Sequence, residues 1–232
     1  MREGVPNFVS MENVPGLAKH ESFRNLLKLL ASLEYSVDHG VIDFHRYGVP
    51  QRRRRLVLIA SRCEPAVLPK PIDNTTVVAD FIADLPPLEP GETALEDLAH
   101  TTLPLSPINL ERIRQSKPGG TWKDWNDSLI SPCHTRAHYP ASYGRMEWNK
   151  PAPTITTQFC YYSTGRFGHP TQNRTLSVRE AALLQTFPAD YALIDPDAAV
   201  PIRNLARHIG NAVPVKIGEC IGSAMRRVSN HA

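Results

Sequence analysis

The sequence has few cysteines, little net charge and no long apolar run, and each shortage excludes a class of protein. Four cysteines in 232 residues show no paired spacing: Cys63, Cys133, Cys160 and Cys220. This argues against a disulfide-stapled secreted domain and fits a reducing cytoplasm. No apolar run approaches the length of a membrane span, and the N-terminus has no signal-peptide core. The formal net charge is only +3, so a polyanionic partner has to be recognised from local patches.

Proline, in contrast, is abundant and divides the chain. The 21 prolines cluster between Pro65 and Pro107 and again between Pro132 and Pro170. Because proline lacks the backbone donor that helices and sheets need, regular structure is expected mainly at the two ends, around a loop-rich middle. The length allows one large domain or two small ones.

The first sixty residues alternate strand and helix patterns. Short apolar runs predict strands at residues 7–11, 35–42 and 56–60. Between the first two, five apolar side chains share one helical face: Phe23, Leu26, Leu27, Leu30 and Leu33. Strands alternating with helices predict the α/β class and a mostly parallel, doubly wound sheet.

Helices are also predicted further along the chain. Residues 76–85 and 107–115 suit short helices. Ser177 and Glu180 stand at capping-box spacing and predict a helix that stops at Phe187-Pro188. The last helix is expected to begin near Pro214.

Two short segments place charged side chains beside predicted strands. Glu12, in Glu12-Asn13-Val14, follows the first strand, and ligands of open α/β sheets collect at such strand ends. Gln51-Arg52-Arg53-Arg54-Arg55 precedes the third strand, whose alternation sends Arg53 and Arg55 to one face. The alternatives are a helix-capping or solvated acid and a solvated basic edge.

Five segments in order carry a family resemblance: residues 12–14, residues 51–55, Pro151–Thr157, residues 174–188 and Gly210–Pro214. They read Glu-Asn-Val, Gln-x-Arg-x-Arg, Pro-Ala-Pro-Thr-Ile-Thr-Thr, Arg-x-Leu-x-x-Arg-Glu with Gln-x-Phe-Pro, and Gly-Asn-Ala-Val-Pro. Together they resemble the later sequence blocks of the bacterial DNA cytosine-5 methyltransferases of restriction–modification systems. The long stretch between the second and third blocks is where that family keeps its target-recognition region.

The resemblance implies an α/β fold with a partial Rossmann-like sheet of the S-adenosylmethionine-dependent methyltransferases and a loop-rich, mixed target-recognition domain. Residues 1–65 are expected to form the C-terminal half of the catalytic domain, 66–200 the target-recognition domain and 201–232 a segment returning to the catalytic domain. The implied substrate is double-stranded DNA in the cytoplasm, at the nucleoid, with no membrane involved.

The resemblance also assigns roles to residues. Glu12 matches the donor to N3 of a flipped cytosine, Arg55 the arginine that binds the base carbonyl, and Arg53 its companion. Asn211, Ala212 and Val213 match the segment that lines the S-adenosylmethionine pocket. Expected DNA contacts come from Asn13, Gln51, Thr154, Arg174, Arg136 and Arg145.

Two blocks of the family are missing from the sequence. Neither the Phe-x-Gly-x-Gly turn that binds the cofactor nor the Pro-Cys-Gln loop that supplies the nucleophile precedes Glu12. Pro132-Cys133-His134 is a poor substitute because it stands after the arginine block and lacks the glutamine. A second polypeptide carrying both motifs is therefore expected. One alternative is a catalytically dead DNA-binding module or the remnant of a broken gene, and another is that the sequence is the C-terminal part of a longer protein.

No metal site is expected from the sequence. Cys133, His134, His138 and Cys160 are the residues from which a zinc cluster would have to be built. They contain no Cys-x-x-Cys pair, which structural zinc sites typically use.

Overall fold

The structure, a computed structural model, describes residues 4–72, 75–132, 134, 142–195 and 201–229. The chain divides into two compact units, the first made of Met1–Thr75 with Val213–Ala232 and the second of Thr76–Ala212. The boundaries expected from the sequence lay after residues 65 and 200. The boundaries between the compact units lie somewhat later in the chain, after residues 75 and 212. The functional assignment of the segments stays a prediction.

Three strands and six α-helices are present in the described residues. The strands are β1 (Phe8–Asn13), β2 (Ser36–Asp43) and β3 (Arg54–Ser61). The helices are α1 (Glu21–Ser32), α2 (Ala79–Ile82), α3 (Pro107–Gln115), α4 (Val178–Leu184), α5 (Ile202–Asn211) and α6 (Val215–Ser229). Short 3-10 helices cover Pro15–Lys19, Phe44–Tyr47, Trp122–Asp124, Asp127–Leu129 and Tyr162–Thr164.

The sheet of the first unit has the order β1-β3-β2, and both pairings are antiparallel. The expected mostly parallel sheet is therefore wrong for these strands. β1 and β2 do run the same way, as their link through α1 predicts, but they leave a gap that β3 fills in the opposite direction. Residues 44–53 join β2 to β3 and hold only one 3-10 helix, which is too short for a parallel crossover.

β3 is buried on both faces, which explains its continuous apolar run. On one face Leu56, Leu58 and Ala60 pack with apolar residues of α1. On the other face Val57 and Ile59 pack with Ile217 and Ile221 of α6. The sheet thus lies between two amphipathic helices, α1 and α6. Because successive side chains of β3 point to opposite faces, every second one faces α6.

The second unit is rich in loops, as the proline clusters predict. Its described residues contain isolated β-bridges and short helices around a core that includes Phe159, Phe167, Leu176 and Leu184. The helix predicted at residues 107–115 is confirmed, whereas the one predicted at residues 76–85 is shorter. The Ser177–Glu180 capping box is confirmed at the start of α4. In the described residues no helix is long and apolar enough to cross a membrane.

Candidate functional site

Glu12 and Arg55 lie together on the α6 side of the sheet. In the antiparallel register Glu12 stands opposite Val57, and Arg55 lies two residues before Val57 on the same face. Such diagonal neighbours are within reach of long side chains. Arg55 Nε is 3.0 Å from Glu12 Oε1, and the two side chains are 18% and 17% exposed. The site is therefore a half-buried ion pair at the carboxyl end of β1.

Arg53 adds a second cation to this pair. The predicted alternation is confirmed: Arg52 and Arg54 are exposed, whereas Arg53 is only 4% exposed. Burial and the charge of Arg55 together lower the pKa of Arg53 to about 10, against the opposing effect of Glu12. The guanidinium nevertheless keeps its charge near neutral pH, so one carboxylate faces two cations.

Glu12 Oε1 is a buried acceptor whose hydrogen-bonding capacity is not fully used. Arg55 Nε lies within ion-pair distance of it, yet the oxygen is buried and receives no directed hydrogen bond from the described residues. Buried polar atoms are normally satisfied, and exceptions often mark functional positions. The orphaned oxygen therefore points to a polar ligand beside the ion pair.

Two other residues of these motifs are placed differently. Asn13 is exposed, and its Oδ1 accepts a hydrogen bond of 2.8 Å from the backbone N–H of Val14. Gln51 has no exposed surface. A side chain needs accessible surface to reach a duplex, so the DNA contact expected of Gln51 stays a prediction that would require this side chain to become exposed.

Arg174 is fully buried in the second unit, so its DNA contact stays a prediction that its position in this structure does not favour. Its Nη1 and Nη2 donate to Glu180 Oε2 and Oε1 at 2.8 and 2.7 Å. Nε donates to Gln172 Oε1 at 2.7 Å. Because the guanidinium is held by the buried Glu180 and the half-buried Gln172, Arg174 organises the approach to α4 from within.

Arg145 is a second internal arginine, with 4% exposure. Its guanidinium donates five hydrogen bonds, to the backbone oxygens of Ile113, Ser116, His169 and Gln172 and to Asn173 Oδ1. Burial lowers its pKa. Every N–H of the side chain already ties the end of α3 to residues 169–173, so the DNA contact of Arg145 also stays a prediction that this arrangement does not favour.

The remaining DNA-contact predictions divide in two. Thr154 is half-buried in the segment before Ile155, where a backbone or hydroxyl contact with a ligand stays a prediction. Arg136 lies outside the described residues, as do Cys133 and His138.

The predicted cofactor segment follows a close contact between two backbones. Asn211 ends α5 and is exposed, Ala212 is half-buried and Val213 is 38% exposed. Just before them, a Cβ on Gly210 would stand 2.3 Å from the carbonyl carbon of Thr156. Only glycine permits this approach, which fixes the start of the Asn-Ala-Val turn.

The comparisons with known proteins agree with the motifs. The family model described as C-5 cytosine-specific DNA methylase matches residues 1–227. The chain belongs to this family. The chain is 44% identical to the Type II methylase M.HgiDII of Herpetosiphon aurantiacus, over 98% of the chain and 66% of that protein. It is 30% identical to the Type II methyltransferase M.PspPI of Psychrobacter sp. (strain TA137), over 100% of the chain and 56% of that protein.

A solved structure shares the fold. A candidate DNA modification methyltransferase encoded within an Escherichia coli prophage matches with a TM-score of 0.70 at 22% identity, over 97% of this chain and 70% of that one. This confirms the methyltransferase fold. The chain spans 66% and 56% of the lengths of these two curated relatives.

Sequence reasoning missed several residues that shape this methylase chain. Gln185 is fully buried and its Nε2 donates to Ile209 O at 2.7 Å, which holds the end of α5. His169 is buried beside Glu180. The sequence offered a signal for Gln185, which belongs to the Gln-x-Phe-Pro block, and none for His169. In the described residues, no group of three His, Cys, Asp or Glu side chains suits a metal ion.

Proposed function

We propose that this chain provides the base-activating side of a DNA cytosine-5 methyltransferase, in which Glu12, Arg53 and Arg55 act on a flipped cytosine in duplex DNA. The observation that carries the proposal is the Glu12–Arg55 ion pair of 3.0 Å, with Arg53 buried close enough for its charge to interact with both side chains. Cytosine C5 and C6 are out of reach inside the base stack, so the base has to leave the duplex.

The chemistry of these side chains suits a cytosine ring that gains electron density. Protonated Glu12 donates to N3, so that the ring accepts electrons from a nucleophile at C6. Arg55 binds the base carbonyl and orients Glu12, and Arg53 stabilises negative charge that develops on the ring. The orphaned Glu12 Oε1 supports this assignment because a base edge offers the missing partner.

Asn211, Ala212 and Val213 fit one wall of a site for S-adenosylmethionine. Asn211 and Val213 are exposed, which makes a polar and an apolar side chain available to an adenosyl group. When bound, S-adenosylmethionine supplies the methyl group. Gln185 and the close approach at Gly210 hold the turn that presents these residues.

The nucleophilic thiolate and the glycine-rich cofactor turn are supplied by a second polypeptide in this proposal. No Pro-Cys-Gln or Phe-x-Gly-x-Gly sequence occurs in the 232 residues. Burial raises the pKa of Cys160 to about 11, so it is a poor source of thiolate. β1 pairs with a strand on one side only, in the described residues, so its other edge is available to a strand from the partner. Both polypeptides would act in the cytoplasm, where the DNA is.

Co-expression tests the proposal. Transfer of labelled methyl groups to mixed-sequence duplex DNA is measured for this chain, for a polypeptide carrying both missing motifs, and for the two together. Only the combination is expected to be active, and Glu12→Gln in this chain is expected to abolish its activity. Full activity of this chain alone overturns the partner requirement, and full activity of the Glu12→Gln combination overturns the role of Glu12.

A further inference from the structure

α5 presents an exposed arc that consists entirely of cationic and polar side chains. Its exposed residues are Arg203, Asn204, Arg207, His208 and Asn211. At about 100° per residue these positions occupy one continuous stripe of the helix surface. The opposite side is apolar, with Ala206 and Ile209 buried in the core of the second unit. The orientation of the arc is therefore fixed by packing.

The charge of this arc is not balanced within the helix. α5 contains no acidic residue, whereas each of the other described α-helices contains at least one. Neither Arg203 nor Arg207 forms an ion pair with any described residue. The exposed Arg114 of α3 differs, since its Nη1 lies 3.5 Å from Glu111 Oε2.

Stability of the helix gives no reason for this arrangement. Arg203 stands in the first turn, where the helix dipole disfavours a cation. Arg203 and Arg207 are one turn apart on the same stripe, and like charges at this spacing repel each other slightly. A partner that carries closely spaced negative charges would offset both the unfavourable helix dipole at Arg203 and the repulsion between Arg203 and Arg207.

We propose that the exposed arc of α5 binds phosphates of the DNA duplex, with Arg203 and Arg207 as the charged contacts. Arginine recognises phosphate through paired N–H donors, and Asn204 and His208 complete the surface, whereas Asn211 at the end of the helix belongs to the proposed cofactor wall. The proposal rests on the proposed function, because it names where the duplex backbone meets this chain. Contacts of this kind set the register of the duplex without selecting a sequence.

Salt-dependent binding of duplex DNA tests the arc. The affinity of the full chain for a fluorescent mixed-sequence duplex is measured by anisotropy over a series of salt concentrations. The double variant Arg203→Gln/Arg207→Gln is expected to bind more weakly, and the slope of log affinity against log salt should fall by roughly 2, about 0.9 for each lost phosphate contact.

Arg114→Gln is the matched control, because it removes one exposed helical arginine that already has an acidic neighbour. It is expected to leave the slope unchanged, and thermal melting verifies that each variant is folded. An unchanged slope in the double variant overturns the role of α5 while the proposed function stands. If the folded wild-type chain does not bind duplex DNA at all, the proposal for α5 fails, while the proposed function is decided separately by the methyl-transfer assay on the two polypeptides.

Discussion

Arg174 and Glu180 form a two-point ion pair in which neither side chain has exposed surface. Nη1 and Nη2 of the arginine lie 2.8 and 2.7 Å from the two carboxylate oxygens. Glu180 Oε2 also accepts a hydrogen bond of 2.7 Å from the backbone N–H of Ser177. The pair therefore joins the segment before α4 to the capping box that begins the helix.

Removal of one partner is expected to destabilise the second unit strongly, because the other charge stays buried. Arg174→Gln or Glu180→Gln should each lower the free energy of unfolding by about 3–5 kcal/mol. Urea denaturation measures the loss. Arg114→Gln, which breaks the exposed pair with Glu111, should cost less than about 1 kcal/mol. Equal losses for the buried and the exposed pair would contradict this interpretation.

His169 should make the protein sensitive to mild acid. Its Nδ1 accepts hydrogen bonds from the backbone N–H groups of Thr171 and Gln172 at 3.2 and 2.9 Å, so the neutral ring carries its proton on Nε2. Burial lowers the pKa of His169 from 6.5 to about 4, with Glu180 opposing and Arg174 adding to the shift.

The sign of the effect follows from which state binds the proton. Below pH 6.5 the unfolded chain protonates His169 first, so the free energy of unfolding should fall by about 1.4 kcal/mol per pH unit down to about pH 4. His169→Asn retains an acceptor in place of Nδ1 and should flatten this dependence, whatever its overall stability. The Arg174 side chain holds the pKa of Glu180 low, against the effect of its burial. Protonation of Glu180 and loss of that ion pair are therefore expected only at a lower pH. An unaltered slope in His169→Asn would assign the dependence to another group.

Gly210 should tolerate no side chain. A Cβ there would stand 2.3 Å from both the Thr156 carbonyl carbon and the Thr157 amide nitrogen, which belong to the backbone and cannot rotate away. Gly210→Ala is expected to lower the free energy of unfolding by about 1–3 kcal/mol. Gly222→Ala in α6 meets nothing within 4 Å and should be neutral or stabilising by up to ~1 kcal/mol. Similar melting temperatures for the two variants would refute the close approach.

Arg55 should matter to the reaction through its geometry as well as its charge. In the active combination of polypeptides, Arg55→Lys keeps the charge but loses the planar group beside Glu12. The rate of methyl transfer at saturating DNA should fall by about 10²–10³-fold, as for other lost donors to developing charge. Arg54→Lys, on the exposed opposite face, should retain near-normal rates. Equal rates of methyl transfer for the Arg55→Lys and Arg54→Lys variants would contradict a role of Arg55 in the reaction.

Local patterns were the part of the structure that the sequence predicted well. The alternation of the arginine run placed Arg53 and Arg55 on one face, because side chains of an extended chain point to opposite sides in turn. The Ser177–Glu180 spacing predicted a capping box for the same local reason. Features that depend on distant residues were harder to predict. β3 is antiparallel because the link of residues 44–53 is too short for a parallel crossover, and it lies between β1 and β2, which are joined through α1 without pairing. α5 was overlooked because its polar stripe hid four apolar positions, Ile202, Leu205, Ala206 and Ile209.

By itself, the sequence determined the family, the order of its motifs and the spacing that brings Glu12 and Arg55 to one face, since all three are encoded along the chain. Tertiary structure alone decided which arginines are internal. Arg174 and Arg145 carry the same side chain as Arg203 and Arg207, yet the first two are buried against carboxylate and carbonyl oxygens while the other two are exposed. The cost of burying a guanidinium is offset only where the fold gathers enough acceptors around it, and residues far apart in sequence supply those acceptors.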